Sequence, residues 1–143
     1  VSLADMVSAF HERFGVATPD RSEPSLRMGL RLVCEEAFEV LAAAMPHRKT
    51  SLRAFEAEIQ RWIAEETLVP DWPAMVDGIA DASWVLEGLA QRLGIDMAPV
   101  YELVSAANMA KIPPLEPGGK IAKPPGWEPP DIAGEVGRQW ADV

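Results

Sequence analysis

Apolar residues recur at spacings of three and four along most of the chain, and runs alternating apolar with polar positions are absent. That pattern predicts helices and no strand. A first helix covers residues 2–14 and stops at Gly15. A loop rich in turn formers follows over 18–24. Ser25 is placed to cap a second helix that runs to Met45, where Pro46 ends it. Ser51 caps a third helix, from Leu52 to about Glu66. Asp71 and Trp72 precede Pro73, which suits the first turn of a fourth helix reaching Leu93, with Gly94 as its stop. Asp96 caps a fifth helix over 97–111. Together these make an all-α bundle of four to five helices, read as one domain over 1–143.

Helices two and four are the longest and most apolar, which makes them the predicted centre of the core. Leu26, Leu30, Val33, Ala37, Val40, Leu41 and Ala44 form one stripe of helix two. Met75, Ile79, Ala82, Leu86, Leu89 and Leu93 form one stripe of helix four. Helix two also carries Met28, Leu32 and Phe38 outside its stripe. A helix apolar on most of its surface must be covered on most of its surface, and so small a bundle has few partners to offer. The expected assembly is a homodimer.

Beyond Ile112 the composition changes. Seven of the thirteen prolines lie between Pro113 and Pro130, with Gly118, Gly119 and Gly126 among them. Residues 112–143 therefore read as an extended arm followed by a short helix from Asp131. The chain has four lysines, and Lys111, Lys120 and Lys123 fall within thirteen residues, with Glu116 the only acid between them. Gly118 and Gly119 let the backbone approach a ligand. The same segment also reads as a solvated linker.

The whole chain of 143 residues is 48% hydrophobic and 24% charged, ordinary globular values. Its net charge of −9 makes it a poor binder of nucleic-acid polymers. No apolar run reaches the roughly 18 residues that span a bilayer, so no membrane is expected. No signal-peptide pattern stands at the start, and Cys34 is the only cysteine; the expected compartment is a reducing cytoplasm.

In that acidic background two clusters stand out. Helix two contains Cys34-Glu35-Glu36-Ala37-Phe38-Glu39. At about 100° per residue, Glu36 and Glu39 sit roughly 60° apart on a flank shared with Leu32 and Ala43, and Glu35 points further round beside Arg31. Helix four contains Asp77 and Asp81, four apart, with Trp84 and Gly88 continuing their stripe. Neither Glu36 nor Glu39 has a lysine or arginine four residues away. Carboxylates gathered between two helices are costly to bury without cations, and the simplest compensation is a hard divalent ion, Mg²⁺ or Mn²⁺. Zinc is disfavoured, because His11, His47 and Cys34 lack ligand spacing. Taken singly, each acidic run is also an ordinary solvated helix face.

With these segments in view, the chain resembles the MazG-like all-α nucleoside triphosphate pyrophosphatases, in particular their small dUTP-hydrolysing branch. The matching stretches are Phe10-His11-Glu12-Arg13-Phe14-Gly15, Arg31 through Glu39, Asp77-Gly78-Ile79-Ala80-Asp81 through Gly94-Ile95-Asp96, Ala107-Asn108-Met109-Ala110-Lys111, Gly119-Lys120 to Lys123, Pro124-Pro125-Gly126-Trp127, and Pro129-Pro130-Asp131. They cover most of the chain in the family's order. The resemblance implies a dimeric helical bundle that hydrolyses a nucleoside triphosphate to a monophosphate and pyrophosphate, in the service of a clean nucleotide pool. It implies metal binding by Glu36 and Glu39, with Asp81 matching the aspartate of a later ExxD motif. Gly78 stands where that motif has glutamate, and Asp77 is the replacement one residue earlier. Glu35 corresponds to the first acid and orients a water or holds a second ion. Catalysis thus falls to Glu35 and Glu36, with Asn108, Lys111, Lys120 and Lys123 as sugar and phosphate contacts. His11, Phe14, Trp84 and Asn108 are candidates for base recognition, and each aromatic also reads as core packing.

Three rivals remain at this level. The substrate could be another nucleotide, phosphoribosyl-ATP or a damaged one. A ferritin-like metal carrier needs Glu-x-x-His repeats that the helices lack. A non-enzymatic helical dimer could bind a protein through the proline-rich arm.

Overall fold

The computed structural model describes residues 1–116 and 119–141. Among them are six α-helices and no named strand: α1 Leu3–Phe14, α2 Glu23–Ala44, α3 Lys49–Glu65, α4 Trp72–Arg92, α5 Met97–Met109 and α6 Ile132–Ala141. The only β feature among these residues is an isolated antiparallel bridge between Ile112 and Ala122. The fold is all-α, as periodicity predicts. No helix among the described residues is long and apolar enough to cross a membrane. The chain forms two compact units, one of Pro19–Asp71 and one of Val1–Thr18 with Trp72–Val143.

The unit Pro19–Asp71 is a hairpin of α2 and α3 joined by one 3₁₀ turn, Pro46–Arg48. Ser22, not Ser25, caps α2: its side chain accepts from the Ser25 N–H. Pro24 explains the shift. It lacks an N–H and has a helical φ already set, so it belongs in the first turn and the helix must begin ahead of it. Likewise α3 starts at Lys49, two residues before the predicted cap Ser51, because the turn at Pro46 runs directly into it. The two helices are stitched by side chains of α2 and α3 reaching backbone carbonyls. The Arg27 guanidinium donates to Ile63 O and, at 2.8 Å, to Glu66 O, while also pairing with Glu23. The Gln60 amide donates to Arg31 O at 2.9 Å. Carbonyls at the end of α3 lack helical partners of their own, so one charged fork supplies what the helix cannot.

In the other unit α1 opens with a capping box. Asp5 N donates to the Ser2 hydroxyl and Ser2 N to the Asp5 carboxylate, at 3.1 and 2.9 Å. It closes at Gly15, whose φ of 66° is the left-handed cap. α1 packs on α5, and Phe10 stacks on Phe14 with centroids 4.3 Å apart. α6 closes back on the unit through three bonds. Gln139 accepts from Asp96 N and donates to Asp96 O, at 2.7 and 2.9 Å, and the Trp140 indole donates to Leu93 O at 2.9 Å.

The predicted core is where structure and expectation part. Among the described residues the buried hydrophobics are Phe14, Ala90 and Val100. Of the α4 stripe, Ile79 is 62% exposed and Leu86 56%, and Val33 on α2 is 68% exposed. Within its own unit α4 packs on no other helix to any substantial extent. The apolar area written into α2 and α4 exceeds what this chain covers.

The stitching role of Arg27 is testable. Arg27→Ala should lower the free energy of unfolding by about 1–2 kcal/mol, read from urea melts followed by circular dichroism. Arg27→Lys should recover less than half of that, because an ammonium lacks the planar fork. An unchanged midpoint for Arg27→Ala would show that these bonds do not hold the hairpin.

Candidate functional site

A cavity of about 660 Å³ lies along the hairpin of α2 and α3, lined by Glu35, Phe38, Glu39, Ala42, Ala43, Pro46, Lys49, Leu52, Arg53, Glu56 and Ala57. Its geometry follows from helical spacing. Glu35, Glu39, Ala42 and Ala43 share one face of α2, and Lys49, Leu52, Arg53, Glu56 and Ala57 share one face of α3. Six of the lining residues are apolar and five are charged. The side chains of Glu35, Glu39, Lys49 and Arg53 form no hydrogen bond or ion pair with another described residue. Acids and bases are thus both on offer to a ligand. Glu56 is close enough to act on Cys34: burial pushes the Cys34 thiol up from its ordinary pKa, and the Glu56 charge adds to the shift.

Within EExxE, helical geometry gives this cavity the first and third acids, Glu35 and Glu39. Glu36 is exposed and lies outside the lining. Asp77 and Asp81 lie one turn apart on α4, in the other unit, both exposed. Among the described residues no three His, Cys, Asp or Glu side chains form a ready metal cage. The donor chemistry nevertheless fits Mg²⁺ or Mn²⁺. Each helix presents two carboxylates one turn apart, and Mg²⁺ takes one or two protein carboxylates while keeping waters and substrate phosphates.

A second convergence lies in the unit that carries the arm. The bridge from Ile112 to Ala122 turns the arm back, with Ile112 N donating to Ala122 O at 2.8 Å. The Trp127 indole then donates to Ala107 O of α5 at 2.8 Å. Around that ring sit Lys123, with Nζ 4.4 Å from the centroid, and Lys111, with Nζ at 5.6 Å. Lys111 Nζ also donates to Asn108 Oδ1 at 2.9 Å, and Arg13 donates to Lys111 O at 3.3 Å. Asn108 and Lys111 at the end of α5 and Lys123 of the returning arm are brought together.

The remaining candidates are scattered. Lys120 is exposed on the arm. Gly119 gives its lack of a side chain to the arm itself: a Cβ there would stand 3.0 Å from Pro114 Cβ and from Glu116 O. Gly118, read together with it, lies outside the described residues. Asn108 also lines a smaller cavity of about 190 Å³ with Met6, Phe10 and Tyr101. His11 is half-buried, 6.3 Å from the Phe10 ring. Phe14 is buried and serves packing, and Trp84 is 82% exposed. Lys49, Arg53, Glu56 and Trp127 escaped the sequence reading as site residues. For the first three the available signal was their i, i+4 and i, i+3 spacing on a helix next to the acidic one.

No family model matches the chain, and no curated protein or solved structure matches it.

The Cys34 environment gives a check on the cavity. At about pH 8, below the ordinary thiol pKa, the raised value leaves less thiolate. Iodoacetamide should therefore label the folded chain more slowly than the urea-unfolded chain. Glu56→Gln removes the smaller of the two causes and should speed labelling of the folded chain modestly. No change on that substitution would remove Glu56 from the neighbourhood of α2.

Proposed function

We propose that this chain is one subunit of a homodimeric, metal-dependent nucleoside triphosphate pyrophosphohydrolase of the MazG-like kind, with dUTP as substrate and dUMP and pyrophosphate as products. The observation that carries the reading is the cavity of the α2–α3 hairpin, where unpaired carboxylates and unpaired cations line one space. A metal-complexed polyphosphate asks for both. The choice of dUTP rests on the resemblance.

By the resemblance, Glu36 and Glu39 of α2, and Asp77 and Asp81 of α4, are the acids that would hold Mg²⁺ or Mn²⁺. When bound, a divalent ion would neutralise phosphate charge and activate water. Glu35 or Glu36 accepts a proton from the attacking water. The water oxygen forms a bond to the α-phosphorus as the bond from that phosphorus to its bridging oxygen breaks, and pyrophosphate leaves. Lys111, Lys120 and Lys123 offset the charge of the departing pyrophosphate through charge-assisted hydrogen bonds. Asn108 contacts the sugar, and His11 and Trp84 are the candidates to meet the base.

The dimer has its own support. On α4, Val76, Ile79, Trp84, Val85 and Leu86 are all exposed, an apolar surface that a second subunit would cover.

Pyrophosphate release across a panel of nucleotides, with and without Mg²⁺ or Mn²⁺, tests the proposal. The wild-type chain should turn over dUTP fastest and only with metal. Glu36→Ala and Asp81→Ala should each cut turnover by about 10²-fold or more, with the helical circular dichroism retained. Wild-type turnover in either variant would overturn the assignment. If no nucleotide is hydrolysed and none raises the melting temperature, the protein-binding role of the arm is the better reading.

A further inference from the structure

Trp127 holds a place that the phosphate-binding role of the lysines does not by itself explain. Its indole N–H is spent on Ala107 O at 2.8 Å, which pins the arm to the last turns of α5. Gly126 makes the pinning possible: its φ of 78° is a left-handed turn, and Trp127 N donates to Pro124 O at 3.0 Å. The ring so placed has Lys123 Nζ at 4.4 Å and Lys111 Nζ at 5.6 Å from its centroid. Both distances are within the range over which an aromatic quadrupole attracts a cation. Neither lysine has a carboxylate partner among the described residues; Lys111 Nζ donates to Asn108 Oδ1, and the ring is the partner that the two ammoniums share. Lys111 comes from the end of α5 and Lys123 from the returning arm; the bridge from Ile112 to Ala122 brings their backbones together, and the ring is what both side chains turn to.

We propose that Trp127 is a positioning residue whose aromatic face holds Lys111 and Lys123 as one convergent cationic pair, and that this pair takes the pyrophosphate portion of the substrate. The inference rests on the reading that these lysines bind phosphate, and it adds the element that sets their spacing. An attacking water or a metal ion has no part in it.

The test compares two substitutions that both lose the indole N–H and both fill space. Trp127→Phe keeps an aromatic face and Trp127→Met does not. Binding of inorganic pyrophosphate in the presence of Mg²⁺ is measured by calorimetry on the full chain, with helical circular dichroism as the folding control. Trp127→Phe should bind within about threefold of wild type, and Trp127→Met about tenfold more weakly. Equal affinities for the two variants, whether both match wild type or both fall, would overturn the ring's role while leaving phosphate binding by the lysines intact. Failure of the wild-type chain to bind pyrophosphate at all would overturn both.

Discussion

Glu35 and Glu39 stand one helical turn apart in the lining of one cavity, and two negative charges so placed repel each other unless cations are near. What the hairpin can bind follows from how that repulsion is relieved. Within the same cavity lie Lys49 and Arg53 of the facing helix, yet neither closes an ion pair with the acids. Exposed pairs gain little from closing, because water screens them and long side chains lose freedom. Leaving them open costs little in stability and keeps both charges available for a ligand. A polyphosphate with its metal ion satisfies both signs at once.

The same logic governs the arm, with the sign reversed. Lys111 and Lys123 repel each other, and the face of Trp127 is the partner that both share. The fold spends two backbone contacts on making that possible, the bridge from Ile112 to Ala122 and the bond from the Trp127 indole to Ala107 O. A proline-rich segment is suited to this work. It cannot pair extensively with other backbone, and it returns to the bundle with few degrees of freedom to lose.

Much of the fold was legible because helix periodicity and its punctuation are local. Gly15, Asp96 and Asp131 act at the helix ends where the pattern put them. The differences are equally local: Ser22 caps α2 where the sequence points to Ser25, because Pro24 fits the first turn, and the 3₁₀ turn at Pro46 runs into α3 ahead of Ser51. What no periodicity could give is tertiary. The apolar stripes on α2 and α4 say that these surfaces must be covered, but not by what, and the chain alone leaves Ile79, Leu86 and Val33 exposed. For the site, the acids were visible as interruptions of an apolar surface. Lys49, Arg53 and Glu56 were not, since charges on a helix adjacent in sequence look like any solvated face. Trp127 looked like one more aromatic, and its partners lie 16 and 4 residues away.

The central claim is that Glu35 and Glu39, one turn apart on α2, act together on one divalent ion. Mn²⁺ affinity measured on the wild type, Glu35→Ala, Glu39→Ala and the double variant tests it most directly, because a double-mutant cycle isolates coupling. The account predicts that each single substitution loses nearly as much affinity as the double, with a coupling of about tenfold or more. Losses that simply add, or Mn²⁺ binding untouched by either substitution, would contradict it.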